Sequence, residues 1–231
     1  MRNRKVLLIL STAFIATETL LGILVQTLSG HINTAVSYAA VLLAFLFAFL
    51  FFERTKRYAF TQIALLFTVC ADFFLVVRGA KEQFLAMLFF SVTQLAYAAR
   101  LYFEDENKAR RFTHLALRIG FPLLVLAITL VVLDGAADRV ALISMFYFAN
   151  LALNVTFACM QFKKAPLLAI GLILFLCCDV FVGLSLIEGW LPLTKGSILY
   201  ALAHPGFNAA WLFYVPSQTL LALSVLPQRK Q

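Results

Sequence analysis

Long apolar runs recur along the whole of this 231-residue chain, and no other feature restricts its fold as strongly. A run of about 20 apolar residues can cross the hydrocarbon core of a bilayer as a helix. Backbone groups cannot stay unpaired in lipid, and continuous apolar runs favour helices over a barrel. The runs predicted as transmembrane helices lie near residues 6–28, 35–52, 58–77, 84–103, 112–133, 139–161, 166–187 and 198–225. In the last run, Pro205 and Pro216 are expected to bend the helix.

The composition agrees with a membrane-embedded chain. Apolar residues make up 63% of it and charged residues 13%, whereas soluble domains have about 45–50% and roughly 25%. The connections are short, so residues 1–231 are predicted to form a single all-α transmembrane domain, a polytopic bundle of about eight helices. The first run resembles a secretory signal but is too long for one, and we interpret it as a retained helix.

The net charge of +8 is interpreted as a topology signal. With the N-terminus placed in the cytoplasm, the opposite side carries only Arg78, Lys81, Arg139 and Lys195. The remaining basic residues, apart from Arg118 within a helix, fall on the inside, at the N-terminus, in segments 53–57, 100–111 and 163–164, and at 229–230. This bias predicts a multi-pass protein of the plasma (inner) membrane with both termini cytoplasmic. Anionic membrane lipids are the expected partners of these charges, and no nucleic-acid partner is expected.

The sequence predicts neither a metal nor a cofactor. Its four cysteines all lie in predicted helices, without CxxC or Cys/His spacing, and are expected to behave as small apolar residues. Nothing resembles a P-loop, a dinucleotide-binding glycine fingerprint or a GxSxG elbow.

Two aspartates suggest an internal duplication. Asp72 in the third run and Asp179 in the seventh each lie two residues after a Cys and two before a Phe. Each also follows a basic loop residue by 15 positions. Because the two runs cross the membrane in the same direction, these matches predict a parallel 4+4 repeat with halves of about 1–110 and 111–231. Such repeats commonly place a site at their interface.

The same two aspartates are the strongest candidates for a functional site. An Asp at the bilayer centre costs about 2.5–3.5 kcal/mol, so Asp72 and Asp179 are expected to face a protein interior or a wet cavity. The alternative is that they serve as polar glue between helices. For Glu18, a third carboxylate in the first run, this structural role is the favoured interpretation.

Other polar residues recur at helical spacing and predict a polar cavity, although a polar face packed against neighbours would give the same pattern. The predicted substrate-binding residues in these stripes are Gln94, Tyr97, Asn150, Asn154, His204, Asn208 and Gln218. Arg111, His114 and Arg118 share one face at the cytoplasmic end of the fifth run, and they either snorkel towards lipid phosphates or clamp the phosphate of a lipid substrate.

Together these features resemble the YhhN family of membrane proteins, which includes the lysoplasmalogenases. The resemblance lies in segments 70–75 and 178–181 and in the ending 214–222, which is similar to the family's Tyr…Gln-x-Leu-Ile-Ala segment. It implies eight helices with an intramembrane Asp in the third and the seventh, and it adds Tyr214 to the predicted substrate-binding residues. The chain departs from the family at Gln94, where a His usually stands three residues before a Tyr. Gln does not exchange protons, so no acid–base role is expected there.

The activity that the resemblance implies is hydrolysis of the vinyl ether bond of a lysoplasmalogen, releasing a fatty aldehyde and a glycerophospho-base. One Asp, protonated in apolar surroundings, would protonate the alkene, and the other, ionised, would stabilise the cation and orient water. The sequence leaves open which Asp takes which role. The alternatives to this hydrolase activity are a small proton-coupled transporter and a non-catalytic lipid-binding protein. The expected partner is a lysophospholipid or another single-chain lipid.

Overall fold

The computed structural model describes residues 4–51, 56–187 and 193–226, and within these ranges the chain is helical and contains no β-strand. The helices are α1 (Arg4–Thr27), α2 (Gly30–Phe51), α3 (Lys56–Asp72), α4 (Gln83–Glu104), α5 (Lys108–Val132), α6 (Arg139–Met160), α7 (Pro166–Ile187), α8 (Ile198–Ala203) and α9 (Ala209–Leu223). Among the described residues, seven helices are long and apolar enough to cross a membrane. The predicted all-α polytopic bundle is therefore confirmed. Arg2, Arg54, Arg229 and Lys230, which contribute to the charge bias, lie outside the described residues.

The last predicted run is not one bent helix, and this prediction was wrong. The chain leaves the helix after Ala203 and resumes it at Ala209. Pro205 has no N–H to donate and Gly206 follows it, so the helical hydrogen bonds are interrupted here. Asn208 then caps α9, its side chain accepting a hydrogen bond from the backbone N–H of Trp211 at 3.4 Å. Pro216, in contrast, lies inside α9 without ending it.

The turn between α1 and α2 is tighter than the sequence predicts. The second helix begins at Gly30 instead of near residue 35. Gly30 adopts a φ of +61°, which glycine tolerates best. The Asn33 amide donates hydrogen bonds to the carbonyls of Val25 at 2.9 Å and Leu28 at 2.7 Å. These bonds satisfy carbonyl groups at the end of α1 and just after it, and they join the first turn of α2 to that end.

Two contacts fix α9 in the bundle. The Arg100 guanidinium, buried within α4, donates to the hydroxyls of Thr61 in α3 at 2.6 Å and of Ser224 after α9 at 2.7 Å. Gly171 of α7 packs closely on Leu221 of α9. These contacts hold the last helix against the interior of the bundle. The prediction that Arg100 is one of the loop charges was wrong, because the residue lies in α4 and is only 1% exposed.

Candidate functional site

Asp72 and Asp179 line one cavity of about 610 Å³ inside the bundle. Asp72 ends α3 and is buried, and Asp179 lies in α7 and is partly buried. Both side chains therefore face the same space in the bundle. The structure thus brings together two side chains that are 107 positions apart in the sequence.

Each carboxyl group is held by a tyrosine from another helix. The Tyr214 hydroxyl of α9 donates a hydrogen bond to Asp72 Oδ2 at 2.5 Å. The Tyr147 hydroxyl of α6 donates to Asp179 Oδ2. Hydrogen bonds to ionised groups are stronger than neutral ones, so these hydroxyls both orient the carboxyls and stabilise their charged form.

The backbone at Asp72 departs from the α-helix. Residues Phe73–Val77 continue α3 as a π-helical turn. Its wider spacing is seen in the hydrogen bond from the Arg78 N–H to the Phe73 carbonyl at 3.0 Å. Single π-turns of this kind are frequent at functional sites. Here the turn follows Asp72 directly and contributes Leu75 and Val76 to the cavity wall.

The rest of the wall is mostly apolar. It includes Met87 and Phe90 of α4, Ile128 of α5, Phe148 of α6 and Trp211 of α9. A volume of this size falls within the range of about 300–1,000 Å³ that is typical of small-molecule sites. An apolar cavity with a few convergent polar groups is suited to a ligand with a hydrocarbon chain and one polar, reactive end.

Of the predicted substrate-binding residues, Tyr214 lines this cavity and the other seven do not. Three of those belong to a separate polar network. The Asn154 amide donates to Gln94 Oε1 at 2.8 Å, and Arg118 donates to Asn150 Oδ1 at 2.9 Å and also to Asn154 Oδ1. Arg118 therefore points inward and joins α5 to α6, which corrects the snorkelling interpretation. Gln94, the departure from the family pattern, is part of this network.

The remaining predicted residues have different surroundings. Tyr97 and Gln218 are buried, and the Tyr97 hydroxyl and both polar atoms of the Gln218 amide have no hydrogen-bond partner among the described residues. His204 is exposed beyond α8, where its ring stacks on Tyr200. Asn208 is joined to Gln26 of α1 by two hydrogen bonds. The break before α9 removes His204 and Asn208 from the single helical stripe that the sequence suggested.

Tyr147 is not among the site residues predicted from the sequence, although it shares a helical stripe with Asn150 and Asn154. In the structure, Tyr147 faces the cavity and the two asparagines face Arg118. One helix therefore serves two sites, which residue spacing alone does not reveal. In the part of the chain that the structure describes, no group of three or more His, Cys, Asp or Glu side chains could hold a metal ion.

The fold and the cavity define a polytopic helical membrane protein with a pair of tyrosine-bound carboxyl groups inside its bundle. The YhhN family model matches residues 32–225. The chain therefore belongs to the YhhN family, as its motifs predict. A comparison with curated proteins and one with solved structures each found no match.

Proposed function

We propose that this protein hydrolyses the vinyl ether bond of lysoplasmalogen-type ether lysolipids. The observation that carries the proposal is the meeting of Asp72 and Asp179 in one largely apolar cavity, each bound by a tyrosine hydroxyl. Membership of a family that includes lysoplasmalogenases supports the choice of substrate. The apolar wall is suited to the alkenyl chain, and the paired carboxyls are suited to its acid-labile bond.

The reaction begins with proton transfer. One Asp, in its acid form, gives its proton to the alkene carbon that does not carry the ether oxygen. The resulting oxocarbenium ion shares its positive charge between the other carbon and that oxygen. The second Asp, ionised, stabilises this cation, as the carboxylates of glycosidases do. Each tyrosine hydroxyl keeps its carboxyl oriented towards the reacting atoms.

Water completes the reaction. The ionised carboxylate takes a proton from water as the water oxygen bonds to the cationic carbon, which gives a hemiacetal. The bond between that carbon and the glycerol oxygen then breaks. The glycerol oxygen takes a proton from the second Asp, and the hemiacetal hydroxyl returns one to the first. One water is consumed, an aldehyde and a glycerophospho-base leave, and both carboxyls regain their initial states.

The proposal also includes the route of the substrate and the orientation of the protein in the membrane. A single-chain lipid reaches the cavity laterally from the bilayer, with its tail among the apolar residues of α4, α5 and α6. The protein lies in the plasma (inner) membrane with both termini cytoplasmic, as the distribution of basic residues predicts.

Aldehyde release from lysoplasmenyl-ethanolamine by the purified protein in detergent tests the proposal. Asp72→Asn and Asp179→Asn should each lower the rate at least about 100-fold, because general acid–base catalysis contributes factors of this size. Asp134→Asn is the matched control. It makes the same chemical change in an exposed turn, and Asn tolerates the positive φ of 38° found there.

Binding of the saturated alkyl ether analogue, which has no alkene to protonate, separates catalysis from recognition. The two active-site variants should still bind it. A folded wild-type protein that binds the analogue and releases no aldehyde would contradict the proposed hydrolysis and favour non-catalytic lipid binding. Flux that depends on pH in proteoliposomes, without turnover, would favour transport.

A further inference from the structure

A second cavity, of about 420 Å³, lies between α1 and α9. Its walls are residues of these two helices and include Ile15, Glu18 and Thr19 of α1 and Leu212, Pro216 and Thr219 of α9. Trp211 lines this cavity and the Asp72–Asp179 cavity alike. The two cavities share a wall but are lined by different carboxyl groups.

Glu18 is the distinctive group of this second cavity. The side chain is only 1% exposed, and neither of its carboxyl oxygens has a hydrogen-bond partner among the described residues. Removing a carboxyl group from water without a compensating hydrogen bond is costly, and the cost rises when the group is charged. Buried polar groups in folded proteins are nearly always paired, so this carboxyl is expected to have a partner that is not part of the described chain.

The backbone adds a second acceptor. Pro216 has no N–H, so the carbonyl of Leu212, one turn earlier, cannot receive the usual helical hydrogen bond. Leu212 and Pro216 both line the cavity, on the helix that faces Glu18. The hydroxyls of Thr19 and Thr219 donate to carbonyls of their own helices, at 2.8 Å each. The available polar atoms are therefore mainly acceptors.

The mouth of the cavity faces the bilayer. Ile15, Ile23 and Leu212 are 44%, 57% and 48% exposed, and they lie on helices that we treat as embedded in the membrane. A ligand that reaches Glu18 by this route arrives from the lipid phase and contacts apolar residues along its length.

We propose that this cavity binds a single-chain amphiphile from the bilayer whose head group, a primary ammonium or a hydroxyl, donates hydrogen bonds to Glu18. The chain of the ligand lies along the apolar walls, and its head group donates to the Glu18 carboxyl and to the Leu212 carbonyl, which lacks its usual helical donor. Glu18 precedes residues 32–225, the part that matches the family model. The site is distinct from the proposed hydrolytic site and does not depend on it.

Fluorescence quenching at Trp211 tests this site. The chain has two tryptophans, so Trp190→Phe leaves Trp211 as the single reporter. The purified protein in nanodiscs is titrated with three bromine-terminated chains of equal length: a primary amine, an alcohol and a plain bromoalkane. The amine and the alcohol should quench saturably and at concentrations at least tenfold lower than the bromoalkane, which only partitions into the bilayer.

Variants assign the quenching to a cavity. Glu18→Leu should abolish the tenfold difference. Asp72→Asn combined with Asp179→Asn should preserve it, and this control is needed because Trp211 also lines the Asp72–Asp179 cavity. Glu18→Gln distinguishes the two head groups. A larger loss of binding for the amine than for the alcohol would identify an ammonium as the head group of the ligand, and an equal loss for both would identify a hydroxyl. Equal quenching by all three probes, or quenching by the amine that Glu18→Leu and Glu18→Gln leave unchanged, would overturn the proposal. Because this readout needs no turnover, failure of the hydrolase assay does not affect it.

Discussion

The hydroxyl groups of Tyr214 and Tyr147 each contact a carboxyl that the proposed chemistry uses. Replacing either tyrosine by phenylalanine keeps the ring in the cavity wall and removes only the hydrogen bond. We expect kcat for aldehyde release to fall about 10- to 100-fold with little change in KM, since misplaced reacting groups cost rates of this order. Steady-state kinetics of Tyr214→Phe and Tyr147→Phe measure both constants.

Tyr200→Phe is the control for these variants, because Tyr200 lies in α8 and is not part of the cavity wall. It should leave kcat unchanged. An unchanged kcat in both active-site tyrosine variants would show that the two hydroxyls do not position the carboxyls for the reaction.

The two aspartates could be predicted from the sequence because an ionisable residue within an apolar run has few explanations other than an interior site. The environment of Arg100 could not. It stands at the start of a polar segment, where it counts as a loop charge, yet its side chain is buried against Thr61 and Ser224. Both partners are far away in the sequence, and hydroxyl groups carry no pattern that identifies such a contact.

At the level of elements, hydropathy located the long helices but did not distinguish two prolines in the last one. Pro205 interrupts the helix and Pro216 does not. Pro205 is next to Gly206 and is followed by a capping Asn208, so leaving the helix is inexpensive there. Pro216 has no glycine beside it, and the Ser217 hydroxyl that follows it donates to the Gly171 carbonyl of α7 at 2.8 Å. At this position α9 is packed closely against α7. The outcome depends on this packing, which the sequence does not show.

The contact between α7 and α9 also gives a prediction. A Cβ atom on Gly171 would lie 2.8 Å from Leu221 Cγ and 3.3 Å from the Leu221 backbone nitrogen. Gly171→Ala should therefore destabilise the protein by about 1–3 kcal/mol, the usual cost of overpacking. Thermal unfolding in detergent measures the loss.

Gly120→Ala provides the matched comparison, because a Cβ on this α5 glycine meets nothing within 4 Å. Its melting temperature should be unchanged or higher, since alanine favours the helix. If Gly171→Ala has the same melting temperature as Gly120→Ala, the close approach of α7 and α9 does not limit the stability of the bundle.

For the whole molecule, composition was sufficient to predict a helical membrane bundle, but not which helices share a site. Asp72 is bound by a tyrosine from α9, and Asp179 by one from α6. The predicted 4+4 repeat relates the third run to the seventh but does not relate the sixth to the eighth, so these tyrosine contacts are not equivalent under it. The repeat stays a prediction, because similar segments predict similar helices but do not determine how those helices pair.

The orientation of the bundle is the remaining prediction at this scale. The basic residues are concentrated on one side, and the positive-inside bias predicts cytoplasmic termini. Green fluorescent protein fused after Gln231 should therefore fluoresce in a bacterial host, and alkaline phosphatase fused there should be inactive. Alkaline phosphatase inserted at the exposed turn of Asp134 and Gly135, between α5 and α6, should be active.

These fusions report directly on which side of the membrane a position lies, which is what the charge bias predicts and what the number of helices alone does not determine. Gln231 and the turn at Asp134 are predicted to lie on opposite sides, so each fusion is a control for the other. Reversed activities would show an inverted bundle, with the concentrated basic residues outside. Replacing Lys163 and Lys164 by Gln should then lower the fraction of correctly oriented protein if charge sets the orientation, because these residues supply positive charge on the predicted inside. An unchanged distribution in that variant would assign the orientation to the other basic segments.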